Sequence, residues 1–181
     1  MFYYLAKFFF WLIGWKVIGA IPKDIKKCVI IVAPHTCNFD FVLGRISCWY
    51  LKIKANYLIK EEAFKFPFGF LLKALGGLPV NRLKGSTIVS QVVKHINESE
   101  NINIVITPEG TRKKVEKWKK GYYFIASAAN IPIALGYIDY SKKQGGIGPI
   151  IYPTGNYEKD YALIRDFYIK IKGRHPERFN C

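Results

Sequence analysis

The sequence predicts an α/β fold in which helices cover a largely parallel, mixed central sheet, and three observations support this prediction. Short runs of β-branched residues alternate with longer segments of helical periodicity, an alternation typical of parallel sheets. Half of the residues are hydrophobic and 16% are aromatic, which excludes a disordered chain. At 181 residues the chain is long enough to bury one core, so we predict a single-domain α/β sandwich.

The predicted strands are short apolar runs rich in valine and isoleucine. In chain order they cover residues 28–32, 56–59, 78–80, 102–106, 133–140 and 147–152. Ligands of such sheets bind beyond the carboxyl ends of the strands. The residues that follow the first and fourth runs are therefore the first place to look for chemistry.

Helices are predicted between the strands. A helix-like stretch covers 41–46, and residues 86–97 carry an apolar stripe at helical spacing with Ser86 as a plausible N-cap. A third helix is expected at 122–130. The apolar segment 63–75 suggests a short helix with Pro67 in its first turn, and it fits ordinary core packing, the wall of a tunnel or contact with a membrane.

The N-terminal residues 1–22 are almost entirely apolar, and we predict that they form a helix preceding a main domain at 23–181. The unbroken run 8–15 is too short to span a bilayer, which needs about 20 apolar residues. Trp11 and Trp15 are four positions apart, as on one face of a helix lying in a lipid interface. Packing of this helix against the domain is the alternative, and the two are compatible.

The charge balance favours anionic partners. The chain has 28 lysines and arginines against 13 acidic residues, a net charge of +15, so nucleic acid and anionic lipid surfaces are the candidates. The basic run 113–121 surrounds Trp118 and is either a solvated face or a contact for a polyanion. The four cysteines show no CxxC pairing, which indicates free thiols in a reducing compartment. His35 and Cys37 lack a second ligand cluster, so no metal site is predicted.

His35 and Asp40 are the most informative pair. His35 follows the strand 28–32, and Asp40 lies five positions further on, at the start of the next helix. On a continuous helix that separation places two side chains about 140° apart, so they meet only if His35 lies in the turn before the helix. A carboxylate on one ring nitrogen would leave the other free to accept a proton. We interpret the pair as a general base and the group that orients it.

The segment 107–112, Thr-Pro-Glu-Gly-Thr-Arg, follows the strand 102–106. Its proline holds Thr107 extended and its glycine permits a tight turn. The turn would present Glu109 for loop-orienting hydrogen bonds and Arg112 for an anion. The alternative is an exposed surface turn with an internal Glu109–Arg112 ion pair. A weaker signal is Arg82, which follows the glycine turn and the strand 78–80 and suits phosphate binding.

Four blocks in this order resemble the glycerolipid acyltransferase family, which includes 1-acylglycerol-3-phosphate acyltransferases. They are His35-x4-Asp40, the Gly-x4-Arg block at 77–82, Pro-Glu-Gly-Thr-Arg at 108–112 and the proline-containing apolar strand at 131–134. Cys37 stands where the family commonly has serine. The resemblance covers most of the chain and implies the family's α/β acyltransferase fold.

The resemblance further implies transfer of a fatty acyl group from acyl-CoA or acyl-carrier protein to a lysophospholipid hydroxyl, most simply that of 1-acylglycerol-3-phosphate. The acyl thioester is then a substrate, and no other cofactor is needed. His35 and Asp40 form the catalytic pair, and the substrate-binding residues are Arg82, Glu109, Gly110, Thr111 and Arg112. We expect a peripheral or monotopic protein on an anionic membrane surface, at the cytoplasmic face.

Two alternatives stay open from the sequence. The acceptor could be another lysolipid, such as a lyso-amino-lipid. A nonenzymatic basic protein that binds membrane or nucleic acid would also explain the charge. No nucleic-acid-binding motif is recognisable, and the aromatic residues cluster in apolar runs, so nucleic acid is not an expected partner.

Overall fold

A computed structural model describes residues 2–65, 67, 69–81 and 87–181 of the chain. Its centre is a seven-stranded sheet with the order β1-β7-β6-β2-β5-β3-β4. The strands are β1 Lys16–Ile18, β2 Lys27–Ala33, β3 Ala55–Lys60, β4 Gly77–Val80, β5 Ile102–Ile106, β6 Ile133–Asp139 and β7 Gln144–Ile151. All neighbouring strands pair in parallel except β6 and β7, which are antiparallel.

Helices cover both faces of this sheet. They are α1 Phe2–Leu12, α2 Phe39–Tyr50, α3 Gly69–Ala74, α4 Ile88–Glu98, α5 Gly121–Ala128 and α6 Tyr157–Tyr168, with 3₁₀ turns at Glu61–Phe64 and Pro176–Arg178. Val29 and Ile31 of β2 belong to the main core, which also contains side chains of α4, α5 and α6. Helices α1 and α2 pack on the opposite face, around Phe10, Leu43 and Ile138.

The α/β sandwich with a largely parallel sheet is therefore confirmed. Strand β5 has the predicted bounds, and the other predicted strands differ by a few residues at their ends. Strand β2 lies between β5 and β6, and Val29 and Ile31 are fully buried. A strand covered on both faces is apolar at consecutive positions, which explains why the run was visible in the sequence.

The N-terminal segment is not one helix to residue 22. Helix α1 ends at Leu12, because Gly14 adopts a left-handed φ of 68° of the kind that ends helices. Residues 16–18 then pair with β7 as part of the sheet. Trp11 and Trp15 consequently do not share a helical face: Trp11 is exposed on α1, whereas Trp15 packs on Tyr140.

The helix predictions need smaller corrections. The oxygen that caps α4 belongs to Thr87, which accepts from the Ser90 amide, while the predicted cap, Ser86, lies outside the described residues. Pro67 precedes α3, which begins at Gly69. Helix α6 was not predicted, although its start carries Asn156 as a cap. None of the described helices is long and apolar enough to cross a bilayer.

Candidate active site

Two neighbouring parallel strands end at the site. Strand β2 ends at Ala33, two residues before His35, and β5 ends at Ile106, three residues before Glu109. Because β2 and β5 are paired in parallel, the segments that follow them emerge at the same edge of the sheet. Glu109 Oε1 accepts a hydrogen bond from the His35 backbone N–H at 3.0 Å, which ties the two segments together.

The His35 imidazole faces the Asp40 carboxylate. Nδ1 of His35 lies 3.4 Å from Oδ2 of Asp40, since Asp40 sits in the first turn of α2 and points back to the preceding loop. The separation exceeds an ordinary N–H···O hydrogen bond, and such bonds in substrate-free sites often shorten when substrate binds. With Nδ1 turned to Asp40, Nε2 is the nitrogen that remains for substrate.

Asp40 also shapes the loop that carries His35. Its Oδ2 accepts hydrogen bonds from the backbone N–H of Thr36 at 2.7 Å and of Cys37 at 2.8 Å. Its Oδ1 accepts from the Tyr140 hydroxyl at 2.7 Å and from the Cys37 thiol at 3.1 Å. Burial alone would raise the pKa of Asp40, but these donors and His35 outweigh it and lower the pKa to about 2. The carboxylate therefore stays ionised beside the imidazole.

Glu109 is a buried carboxyl group with one free oxygen. It is 2% exposed, and its Oε2 has no hydrogen-bond partner among the described residues. Burial raises the pKa of Glu109 to about 7, although the hydrogen bond from the His35 backbone opposes the rise. The predicted alternative, an internal pair with Arg112, is not formed: Arg112 Nη1 instead donates to Asn38 Oδ1, next to the start of α2.

A polar pocket opens beside His35. It has a volume of about 270 Å³ and is lined by His35, Thr107, Gly110, Thr111 and Arg112. Gly110 has a left-handed φ of 66°, which suits the tight turn expected of it. Lys119 lies across this turn: a Cβ atom on Gly110 would stand 2.8 Å from its Nζ. Arg112 therefore lines the pocket, and the Lys119 ammonium lies against the glycine turn that forms part of its wall.

A larger, apolar cavity also borders His35. It has a volume of about 620 Å³, and its lining includes His35 and Asp40 together with apolar side chains of several strands and helices. Leu72 and Leu75, from the segment 63–75, are part of the wall. Gly44 of α2 also lines it, and a Cβ atom at Gly44 would meet nothing within 4 Å. The volume lies in the range of about 300–1,000 Å³ typical of small-molecule sites.

The structure brings most of the predicted residues together. Each of them either lines the polar pocket or the apolar cavity, or, like Glu109, is hydrogen-bonded to a residue that does. They are His35, Asp40, Glu109, Gly110, Thr111 and Arg112. Arg82 lies outside the described residues. Trp118 is 5% exposed, and its Nε1 donates to the Asn180 carbonyl, so this ring is a core element and cannot enter a headgroup layer.

Two residues near the site were missed by sequence reasoning. Tyr140 bonds to Asp40 from a position 100 residues away, and no local pattern marks such a contact. Lys119 belongs to the basic run, and its register against Gly110 is set by the bond from its own N–H to the Pro108 carbonyl at 2.9 Å. The basic run 113–121 was the only sequence signal for this lysine, and it did not distinguish Lys119 from its neighbours.

Comparisons with known proteins agree with the fold. The sequence model of a family described as Acyltransferase matches residues 16–136. Among solved structures, the 1-acyl-sn-glycerophosphate acyltransferase PlsC from Thermotoga maritima is similar in fold, with a TM-score of 0.62 and 16% identity over 93% of this chain and 77% of that one. No individual curated protein matches the sequence.

Proposed function

This chain belongs to the acyltransferase family, as its sequence blocks predicted, and we propose that it transfers a fatty acyl group from an acyl thioester to a lysophospholipid hydroxyl. The proposed acceptor is 1-acylglycerol-3-phosphate, the substrate named for the Thermotoga maritima enzyme of similar fold. The observation that carries the proposal is the position of His35, which lines both a cation-bordered polar pocket and a large apolar cavity.

The reaction needs a base at the point where the two spaces meet. Nε2 of His35 takes the proton of the acceptor hydroxyl, while Asp40, 3.4 Å from Nδ1, orients the ring and stabilises the imidazolium. The acceptor oxygen forms a bond to the thioester carbonyl carbon. The carbon–sulfur bond breaks, and the departing thiolate takes the proton from His35, so the products are an acylated lipid and a free thiol.

The polar pocket is the proposed site for the acceptor's phosphate. Arg112 lines it and Lys119 lies across its glycine turn. No carboxylate of the described residues is within salt-bridge distance of either cation. Arg112 contacts the neutral side chain of Asn38, so its positive charge is available to an anionic group. Arg82 is retained in the proposal as a further phosphate ligand, on its sequence position alone.

The apolar cavity is the proposed site for the acyl chain. Its wall contains aliphatic side chains such as Ile30, Val32 and Ile106, and each buried methylene group would contribute about 0.8 kcal/mol. A flexible chain held in this way would place its thioester carbonyl near the mouth of the cavity, where His35 lies. Acyl-CoA and acyl-carrier protein both supply such a chain, and an acidic carrier protein would suit the net charge of +15.

We further propose that α1 binds an anionic membrane surface. Its outward face exposes large apolar side chains, with Tyr4 73% and Trp11 74% exposed and Leu5, Phe8 and Leu12 also exposed. Apolar residues on one helix face are typical of interfacial binding. The double variant F8E/W11E should reduce sedimentation with anionic vesicles. The control is Leu163→Glu on α6, an exposed apolar residue on the opposite side of the sheet. Similar loss in both variants would contradict the assignment.

The deciding experiment for the activity supplies an acyl thioester with a panel of lysolipids and follows thiol release and the acylated product. We expect 1-acylglycerol-3-phosphate to be acylated fastest, and a lysolipid without a phosphate monoester more slowly. Faster acylation of a lyso-amino-lipid would replace the proposed acceptor while keeping the chemistry. Release of thiol without any acylated lipid would contradict acyl transfer to a lipid altogether.

A further inference from the structure

One buried contact of the site is not used by the mechanism above. Tyr140, the residue that follows β6, donates its hydroxyl to Oδ1 of the Asp40 carboxylate, whereas the His35 imidazole faces Oδ2. We propose that Tyr140 is a positioning residue for the His35–Asp40 pair and that Cys37 assists it at the same oxygen. This proposal rests on the acyl transfer proposed above and adds a specific role for a residue that no sequence block contains.

The two oxygens of Asp40 have separate partners. Oδ2 receives the Thr36 and Cys37 amides and faces His35. Oδ1 receives the Tyr140 hydroxyl at 2.7 Å and the Cys37 thiol at 3.1 Å. An O–H donor to a carboxylate at this distance makes a strong, charge-assisted hydrogen bond. Because both oxygens are held, the carboxylate cannot rotate about its χ2 axis without losing donors on both sides.

Tyr140 is itself held from three directions. Its ring packs edge-on against Trp15, with ring centroids 5.1 Å apart. Its backbone N–H donates to the Lys172 carbonyl at 2.9 Å. Its side chain also belongs to the cluster formed with Phe10 and Leu43. A donor fixed in this way aims its proton at Asp40 before substrate arrives, which is the arrangement expected of a group that orients a catalytic residue.

The hydrogen bond also affects the strength of the base. A donor on Oδ1 withdraws negative charge from the carboxylate, so it weakens the attraction between Asp40 and a protonated His35. Among the described residues, the other ionisable groups near the pair include Glu109, bonded to the His35 backbone, the Cys37 thiol, Arg112 in the polar pocket, and Arg45 and Tyr57 in the wall of the apolar cavity. Loss of the Tyr140 hydroxyl alone should therefore make His35 more basic while leaving the carboxylate less well fixed.

The test is Tyr140→Phe, which removes the hydroxyl and keeps the ring. We expect kcat to fall about tenfold with little change in acceptor KM, as for loss of one charge-assisted bond. The acid limb of the pH profile should move to higher pH, because a carboxylate without this donor attracts the protonated imidazole more strongly. The matched control is Tyr123→Phe, which removes a 2.8 Å hydroxyl–carboxylate bond to buried Asp160 elsewhere in the core and should leave the pH profile in place.

A second readout does not depend on turnover. The titration of the His35 imidazole, followed by NMR, should move to higher pH in Tyr140→Phe and stay in place in Tyr123→Phe. Cys37→Ser, which keeps a donor on Oδ1, should retain more activity than Cys37→Ala. An unchanged His35 titration in Tyr140→Phe would overturn the positioning role even if activity fell. If the wild type acylated no lysolipid, the proposed function would fail, whereas the titration would still decide the role of Tyr140.

Discussion

The two spaces that meet at His35 differ in almost every physical respect. The polar pocket has a volume of about 270 Å³ and is bordered by the side chains of Arg112 and Thr111, whereas the cavity has about 620 Å³ and is walled mainly by aliphatic and aromatic groups. The pocket is built by one loop, residues 107–112, together with His35. The cavity draws its wall from α2, α3 and most of the strands.

This difference indicates how one site can handle a molecule with two unlike ends. Cations at a small polar site bind by charge and geometry, whereas an apolar wall binds in proportion to the area it covers. Changes in the pocket should therefore alter which head group is accepted. Changes in the cavity should alter which chain length is accepted, and changes at His35 should affect every substrate alike.

The largest effect is expected where the two spaces meet. His35→Ala should lower kcat by about 10²–10⁴-fold, the usual contribution of a positioned base, with little change in the KM of either substrate. His95→Ala, on α4 and away from the site, should behave like the wild type. Steady-state kinetics and a thermal melt of each variant would separate lost chemistry from lost folding, and retained turnover in His35→Ala would remove the base from the mechanism.

A smaller and more selective effect is expected in the polar pocket. Arg112→Ala should raise the KM for a phosphate-bearing acceptor by about 10- to 100-fold, the loss of a charged hydrogen-bond donor, and should leave chain-length preference intact. Lys114→Ala changes an exposed cation two positions away that does not line the pocket and is the matched control. Equal KM changes in the two variants would point to general charge attraction instead of a phosphate site.

In the cavity, the expected effect is on the choice of acyl chain length instead of the head group. Gly44→Leu adds a side chain where a Cβ atom meets nothing within 4 Å, so it should extend into the cavity and lower the rate with long acyl thioesters several-fold relative to short ones. Replacing a helical glycine also stabilises the helix by about 0.5–1 kcal/mol. Gly121→Leu, at the open start of α5, is the control. Competition between thioesters of two lengths measures the change.

A separate effect, on the stability of the fold and not on catalysis, is expected at Glu109. Its pKa rises from an ordinary value of 4.5 to about 7 in the folded protein, so the folded state loses relative stability as pH rises from about 4.5 through 7. Glu109→Gln lacks this titration. Between pH 5 and pH 8, the free energy of unfolding of Glu109→Gln should rise relative to that of the wild type by up to about 3 kcal/mol, as measured by urea denaturation. A constant difference across this range would show that Glu109 titrates normally.

The sequence predicted what local patterns determine. The buried run of β2 and the turn at 108–112 are short, and each is complete within a few residues, so their positions at the sheet edge followed from the parallel topology. The His35–Asp40 separation was also predictable, because the loop between them is closed by Asp40 itself through its bonds to the Thr36 and Cys37 amides.

Other features depend on packing between distant segments. The contact of Tyr140 with Asp40 requires β6 to lie beside β2 and α2 to cover both, which no single segment encodes. Strand β1 has three residues and is a strand because β7 supplies its hydrogen bonds. The apolar cavity is a space between elements, and the vacancy beside Gly44 is set by how α2 packs.

The pairing of β1 with β7 has a consequence for shortened forms of the protein. Helix α1 is followed within four residues by β1, the edge strand of the sheet, which covers residues 144–146 of β7. Removing residues 1–18 to improve solubility would uncover the hydrogen-bonding groups of β7 at 144–146. The eight-residue β7 would then be the edge strand, and a longer open edge is a template for intermolecular pairing. Such truncated forms should aggregate, and charge substitutions on α1 are the safer route to a detergent-free preparation.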